Sequence, residues 1–300
     1  CSYCNGFRFK DDILSVKLDN LSVSDILSLD VDTAVNTFKN FPKTFKKLSL
    51  LQEVGLGYLA LGQPLNTLSG GESQRLKLVK YLGSIGKGTL PAIILIDEPT
   101  TGLHMQDVEQ LISTLKRIVA KGHSVIVVEH NLQVLRAADW ILEMGPGAGK
   151  EGGKLVASGT PENFKKKNTA TSRLLFPHLS ASNLINSKKN TPTKHIPKGS
   201  FLHVVGAKEN NLRNLELKIP HHKFVVVTGP SGSGKSSLAF DVVFAEGQRR
   251  FMESMSAYAR QFVQQMPKPK VDSINGMPPT VAIEQRVTRG SKKSTVGSIT

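Results

Sequence analysis

No run of apolar residues in the chain approaches the roughly 18 to 20 that a membrane span needs, and the opening CSYCNGFRFK has no apolar signal region. The membrane half of a transporter is therefore not expected here. Cysteine is scarce. The two present, Cys1 and Cys4, give no disulfide framework, and their Cys-x-x-Cys spacing suits a metal or redox pair better than a structural bridge. A reducing, cytoplasmic setting fits. Acidic residues are in short supply too, 24 against 39 lysines and arginines, for a formal charge of +15. Such an excess commonly serves a polyanionic partner. Much of it, however, lies in FKKK and SKKNTPTKHIPK, where a solvated linker also explains it.

What is present is globular. At 39% hydrophobic, 300 residues are ample for a buried core, in one large or two modest domains. Residues 1–163 alternate helical periods with short apolar strands and close on GPGAGKEGGKLVASGTPE, which reads as strand, turn and strand. Residues 164–199 turn to Lys, Asn, Ser, Thr and Pro, too polar to offset their ordering entropy, and are expected to be a flexible linker. A second block over 200–300 opens with FLHVVGA and LRNLELKIP and continues into FVVVTG, a buried strand. The two blocks show no internal repeat and look complementary.

The strongest motif follows that strand. Gly229, Pro230, Ser231, Gly232, Ser233, Gly234, Lys235 and Ser236 spell G-x-x-x-x-G-K-[ST], with Ser237 opening a helix-like SSLAFDVVFAEGQ. Glycines let successive N–H groups turn towards one phosphate chain, and the helix adds the positive end of its dipole. Lys235 is expected to reach the β- and γ-phosphates of ATP, and the Ser236 hydroxyl to ligate Mg²⁺. A ligand-free Gly/Ser loop would have to match this pattern by chance between a strand and a helix.

Three further segments stand in the first block. LSGGE, residues 68–72, places Ser69 as an N-cap and leaves the N–H groups of Gly70 and Gly71 unobstructed, a second anion site at a helix start. PAIILIDEPTTGLH is an apolar strand ending in Asp97, placed to hold Mg²⁺ through water, and Glu98, placed to polarise an attacking water. After the helical DVEQLISTLKRIVAKG, the strand SVIVVEH delivers His130. Alone, each has an ordinary reading as a cap, a strand end or a structural histidine. Their order is that of a doubly wound α/β sheet whose strand ends meet at one ligand.

In this combination the chain resembles the UvrA family of ABC-type ATPases. The segments VGLGYLALGQPLNTLSGGESQRLKL, IDEPTTGLHMQDVEQL and VVEHNLQVLRAADWILEMGPGAGKEGG look like the close of a UvrA cassette. VGAKENNLRNLELKIP, TGPSGSGKSSLAFDVVFAEGQRRFMESMSAYARQF and VAIEQ look like the opening of one. An ABC transporter would share LSGGE and the phosphate loop but not EGQRR, SAYARQF or GLH.

The resemblance implies an α/β P-loop NTPase of ABC type, the closing half of one cassette (1–163) followed by the opening half of another (200–300). It also implies that His130 contacts the γ-phosphate and catalytic water, and that Gln285 senses Mg²⁺ and that water; a surface glutamine would look the same. The reversed motif order suggests a window across the junction of two tandem UvrA-like units. The two blocks are expected to remain incomplete halves, a permuted single cassette being the alternative.

Cys1 and Cys4 would be half of a four-cysteine zinc site whose partner pair lies upstream. Arg75, Lys77, Arg249 and Arg250 are candidates for phosphate contact, helix surface or intramolecular pairing, and Trp140 is expected in the core. The function implied is an ATP-dependent sensor of damaged double-stranded DNA in nucleotide excision repair, acting as a homodimer with a UvrB-like partner. A soluble ABC translation or resistance factor, or a non-catalytic DNA-binding or scaffold fragment, are the alternatives.

Overall fold

The computed structural model describes residues 9–84, 89–177, 200–256, 267–284 and 295–299. They fall into two units, one drawn from residues 1–87, 102–111 and 285–300 and the other from 88–101 and 112–284.

The first unit is mainly helical. It opens with α1 (Asp11–Leu14) and a minimal hairpin of β1 (Lys17–Leu18) and β2 (Leu21–Ser22), then runs through α2 (Val23–Ser28), α3 (Val31–Thr37), α4 (Pro42–Glu53) and α5 (Gly70–Ser84). Local chemistry sets these helix starts. The Ser22 hydroxyl accepts from the Asp25 N–H while the Asp25 carboxylate accepts from the Ser22 N–H, a reciprocal capping box. Asp30 caps α3 by accepting from the Thr33 N–H at 2.7 Å. Pro42 stands where α4 has no use for an N–H, and Leu48 and Leu51 turn its later face inward.

The chain continues through β3 (Ile93–Asp97), α6 (Met105–Ala120), β4 (Ser124–Val128), α7 (Leu132–Ala137), β5 (Trp140–Gly145), β6 (Lys154–Gly159) and α8 (Ala170–Leu175). Next come β7 (Phe201–Ala207), β8 (Leu215–Pro220) and β9 (Phe224–Thr228). A π-helical stretch, Ser237–Phe244, then runs into α9 (Ala245–Glu253), followed by β10 (Ser273–Asn275) and β11 (Thr280–Ile283). The second unit is built on a six-stranded sheet in the order β11-β3-β4-β9-β5-β6, parallel except for the edge strand β6. A smaller antiparallel sheet pairs β10, β7 and β8.

The central strands IILID, SVIVV and FVVVT are near-continuous β-branched runs because both of their faces are covered. One face (Ile93, Leu95, Ile126, Val128, Val225 and Val227) joins a core with Leu202, Val204 and Leu217 of the smaller sheet and Leu238, Val242 and Val243 of the π-helical stretch. The alternate residues Ile94, Ile96, Val125, Val127 and Val226 are equally buried. Trp140 lies in the core as expected, 7% exposed.

Two expectations need correction. The blocks do not stand as separate halves: β9, from the second, lies between β4 and β5 of the first, and β11 pairs with β3. A strand buried along its whole length needs a partner on each edge, and the first block provides both. The start of the tract expected to be a linker is folded, while its remainder, 178–199, lies outside the described residues. Phe164 is fully buried, Leu175 is 3% exposed, and the Thr169 hydroxyl caps α8 by accepting from the Ser172 N–H at 3.2 Å. Two apolar anchors and a cap outweigh the polar composition between them.

A buried histidine stands at the N-terminal end of β4. His123 is 1% exposed, and its Nδ1 accepts from the Ala92 N–H at 3.3 Å. That bond requires an unprotonated Nδ1. Burial, then Lys121 and His222, hold its pKa below the ordinary 6.5. The folded state thus binds fewer protons than the unfolded chain, so this stability is present above pH 6.5 and is lost as pH falls through the depressed folded value. Urea melts of His123→Gln are expected to show a shallower loss of stability on acidification than the wild type. Identical slopes would show that His123 carries none of it.

Candidate nucleotide site

Parallel pairing brings three strand ends side by side in the second unit. The Glu98 N–H donates to the Val128 carbonyl at 2.9 Å, and the Glu129 N–H donates to the Val227 carbonyl at 3.0 Å. Asp97–Glu98, Glu129–His130 and Thr228–Gly229 therefore leave the sheet at one edge, where a ligand of an open α/β sheet binds.

The phosphate loop leaves β9 at Gly229. Its φ is +138°, and a Cβ there would overlap the Met144 carbonyl oxygen, so only glycine fits. Ser231, Gly232 and Ser236 are exposed, whereas Ser233 and Gly234 are buried. The loop is braced from both blocks. The Gly149 N–H donates to the Gly232 carbonyl at 3.0 Å, the Gly153 N–H donates to the Ser233 carbonyl at 3.0 Å, and Asn211 Nδ2 donates to the Gly232 carbonyl at 2.8 Å. At Gly153, φ is +76° and a Cβ would strike the Asn211 carbonyl. Asn210 Nδ2 donates to Ser237 Oγ at 2.9 Å and to the Asp241 carboxylate at 2.7 Å, anchoring the start of the following helix. Lys235 bends back, donating to the carbonyls of Gly229 at 3.1 Å and Pro230 at 2.9 Å. Burial lowers its pKa, while Glu98 and Asp97 act in the opposite direction.

The acidic side of the site is under electrostatic strain. Burial first, then the charges of Glu98 and Glu284, lift Asp97 to about 6, against the opposing pull of Lys235. Glu98 adopts φ +40°, a left-handed conformation unusual for its side chain. Glu129, only 1% exposed, accepts from the N–H groups of His130 and Asn131 and from the N–H and hydroxyl of Thr100. The His130 side chain is 74% exposed, its Nδ1 3.8 Å from Glu129 Oε2. Among the described residues no three His, Cys, Asp or Glu side chains converge to hold a metal by themselves. Mg²⁺ suits such a site, since it needs one or two protein oxygens and takes its other ligands from phosphate and water.

Ser69, Gly70 and Gly71 lie in the first unit at the start of α5. The Ser69 hydroxyl accepts from the Glu72 N–H at 3.2 Å, and the Glu72 carboxylate accepts from the Ser69 N–H at 2.6 Å. Gln285, Cys1 and Cys4 lie outside the described residues. Of the basic candidates, Arg75 is 2% exposed and unsuited to surface phosphate contact. Arg249 and Arg250 both donate to the buried Glu246, the intramolecular alternative. Sequence reading missed Glu129, Asn211 and the bracing role of Gly149 and Gly153, although all four stand in segments already singled out for their family likeness.

Because Asp97 is pushed up, the fold is more stable with it protonated, and that stability is lost as pH rises through about 6. Without Mg²⁺ or nucleotide, Asp97→Asn is expected to melt above wild type at neutral pH. The gain should shrink as pH falls through about 6. A variant that melts lower at neutral pH would contradict the electrostatic account.

No model of a protein family matches the chain. UvrABC system protein A of Chlamydia trachomatis is 40% identical over 299 residues, which is 99% of the chain and 17% of that protein. The Thermus thermophilus UvrABC system protein A is 39% identical over 276 residues, covering 85% of the chain and 27% of that protein. Among solved structures, UvrA2 from Deinococcus radiodurans matches 60% of the chain and 22% of its own length, with a TM-score of 0.55 and 44% identity. The chain thus spans between a sixth and about a quarter of the curated relatives it matches. Over nearly its whole length, the sequence is UvrA-like.

Proposed function

We propose that the chain supplies an ATP-binding and ATP-hydrolysing site to a UvrA-type subunit of the nucleotide excision repair excinuclease. One observation carries the reading: β3, β4 and β9 release Asp97–Glu98, His130 and the phosphate loop at one sheet edge. In this role Lys235 leaves its loop carbonyls for the β- and γ-phosphates, and N–H groups of the loop line the phosphate chain. Ser236 and Asp97 would hold Mg²⁺, which when bound neutralises charge developing on the phosphate oxygens. Glu98 orients and polarises the attacking water, and His130 contacts the γ-phosphate from the neighbouring strand end. Gln285 would sense the same water from beyond β11. Ser69, Gly70 and Gly71 would present the start of α5 to the nucleotide of another cassette.

Both blocks align in one run, and the 299-residue match is a smaller share of the Chlamydia protein than the 276-residue match is of the Thermus one. The Chlamydia protein is therefore the longer. This supports a window across a junction of two UvrA-like units, though the Thermus match in the same order also suits a junction between cassettes of a single unit. Cys1 and Cys4 would supply two thiolates of a zinc site completed elsewhere in the longer protein.

Damaged duplex DNA and a UvrB-like subunit are the proposed partners of a homodimeric parent in the cytoplasm. Among the described residues no helix is long and apolar enough to cross a membrane.

Lys235→Ala is expected to abolish nucleotide binding. Glu98→Gln should retain binding and lower ATP turnover by about 100-fold or more. Equal rates for wild type and both variants would favour the non-catalytic scaffold reading. If DNA is held through its phosphates, titration of labelled duplex should show affinity falling at least about tenfold between roughly 50 and 200 mM salt. A flat salt response would reject that mode of contact.

A further inference from the structure

Glu129 sits between β4 and His130 with 1% of its surface exposed. Burying a carboxylate is costly unless strong donors replace its water. Here both oxygens are occupied, and by different loops. Oε1 accepts from the Thr100 N–H at 3.2 Å and from the Thr100 hydroxyl. Oε2 accepts from the His130 N–H at 2.6 Å and the Asn131 N–H at 2.9 Å. Asn131 then caps α7, its side chain accepting from the N–H groups of Gln133 at 2.8 Å and Val134 at 3.4 Å.

A residue needed only to close the turn after β4 could be Asn or Ser, which satisfy a local N–H without burying a charge. The arrangement does more. It fastens the backbone two residues beyond Glu98 to the backbone of His130 through the two oxygens of one carboxyl group. Thr100 and Glu98 lie in one tight turn, closed by the Thr101 N–H donating to the Glu98 carbonyl at 3.2 Å. Glu98 itself is in an unfavourable left-handed conformation that needs its surroundings to hold it.

We infer that Glu129 is a positioning residue, locking the Glu98 turn and the His130 loop in one fixed relation at the strand ends. The assignment rests on the ATPase reading of the site. Its structural half stands apart from that reading and is tested apart from it.

Glu129→Gln keeps the shape, but its NH₂ must face N–H or hydroxyl donors on one side. In the 300-residue chain, hydrogen exchange read by mass spectrometry should speed up in both segments, around Thr100–Thr101 and around His130–Asn131. Thr100→Val, which removes only the hydroxyl donor, should loosen the same two segments less. The double variant should be no looser than Glu129→Gln, since the two residues act through one contact. ATP turnover in Glu129→Gln should fall by about 100-fold, as misplacement on the order of an ångström costs. The KM for ATP should change less than about threefold, because the phosphate loop is untouched.

Faster exchange confined to one segment, or additive effects in the double variant, would overturn the lock. Coupled loosening with unchanged turnover in an active wild type would overturn the positioning role. An inactive wild type indistinguishable from Lys235→Ala would instead sink the ATPase reading and the positioning role that rests on it, while exchange still decides the lock.

Discussion

The pairing of β9 between β4 and β5 is the constraint on which the rest of the second unit depends. Every residue of FVVVT is buried, so the strand cannot remain at an edge without leaving main-chain donors and acceptors unmatched away from water. Its neighbours fix both its direction and its register: Val227 lies opposite Val128 on one side and Leu142 on the other. Once these are set, the phosphate loop has only one place to begin. The same register puts Gly229 against the Met144 carbonyl and leaves the 146–153 loop in reach to brace Gly232 and Ser233. Apolar burial thus supplies the geometry in which a polar loop does its work.

The site assembled in this way is poised between two electrostatic requirements. Asp97, Glu98, Glu129 and Glu284 concentrate negative charge around one partly buried lysine. Glu129 accepts four hydrogen bonds, three from backbone N–H groups and one from the Thr100 hydroxyl. Asp97, half-buried beside Glu98 and Glu284, takes up a proton more readily than an ordinary carboxylate. A bound cation beside a phosphate chain would relieve the same excess. Like-charge crowding of this kind is common where a carboxylate cluster takes part in binding.

How much of this was legible from sequence depended on whether the information was local. The phosphate loop, the Asp97–Glu98 strand end and the His130 strand end could be read because each is a short pattern with its own strand and its own turn. The central strands could be read from unbroken β-branched runs. The shared sheet could not, since nothing within FVVVT says which strands flank it. The linker boundary failed for a related reason: Phe164 and Leu175 look sparse in a polar tract, yet two buried anchors and the Thr169 cap hold it. Glu129 and Asn211 act through backbone groups distant in sequence, 29 residues in one case and 21 in the other. Hydrogen bonds to backbone have no side-chain partner whose identity could betray them, and the one side-chain partner of Glu129, the Thr100 hydroxyl, is just as far away in sequence.

The segment EGQRR shows what a family-diagnostic stretch can be for. None of its side chains joins the strand-end site. Gly247 packs so closely on Thr280 that a Cβ would overlap the threonine side chain, and Gln248 Nε2 donates to the Thr280 carbonyl at 3.1 Å. Glu246, 4% exposed, receives Arg249 and Arg250 together, and Arg250 reaches on to the Ile274 carbonyl. Each contact but the Arg249 pair fastens α9 to β10 or β11, directly or through Arg250. Since β11 is the edge strand paired with β3, the clamp acts on the border of the sheet that carries Asp97. Of the two arginines that looked available to a polyanion, Arg250 is committed to that border and Arg249 to Glu246 and Glu253 on its own helix, so both have intramolecular partners.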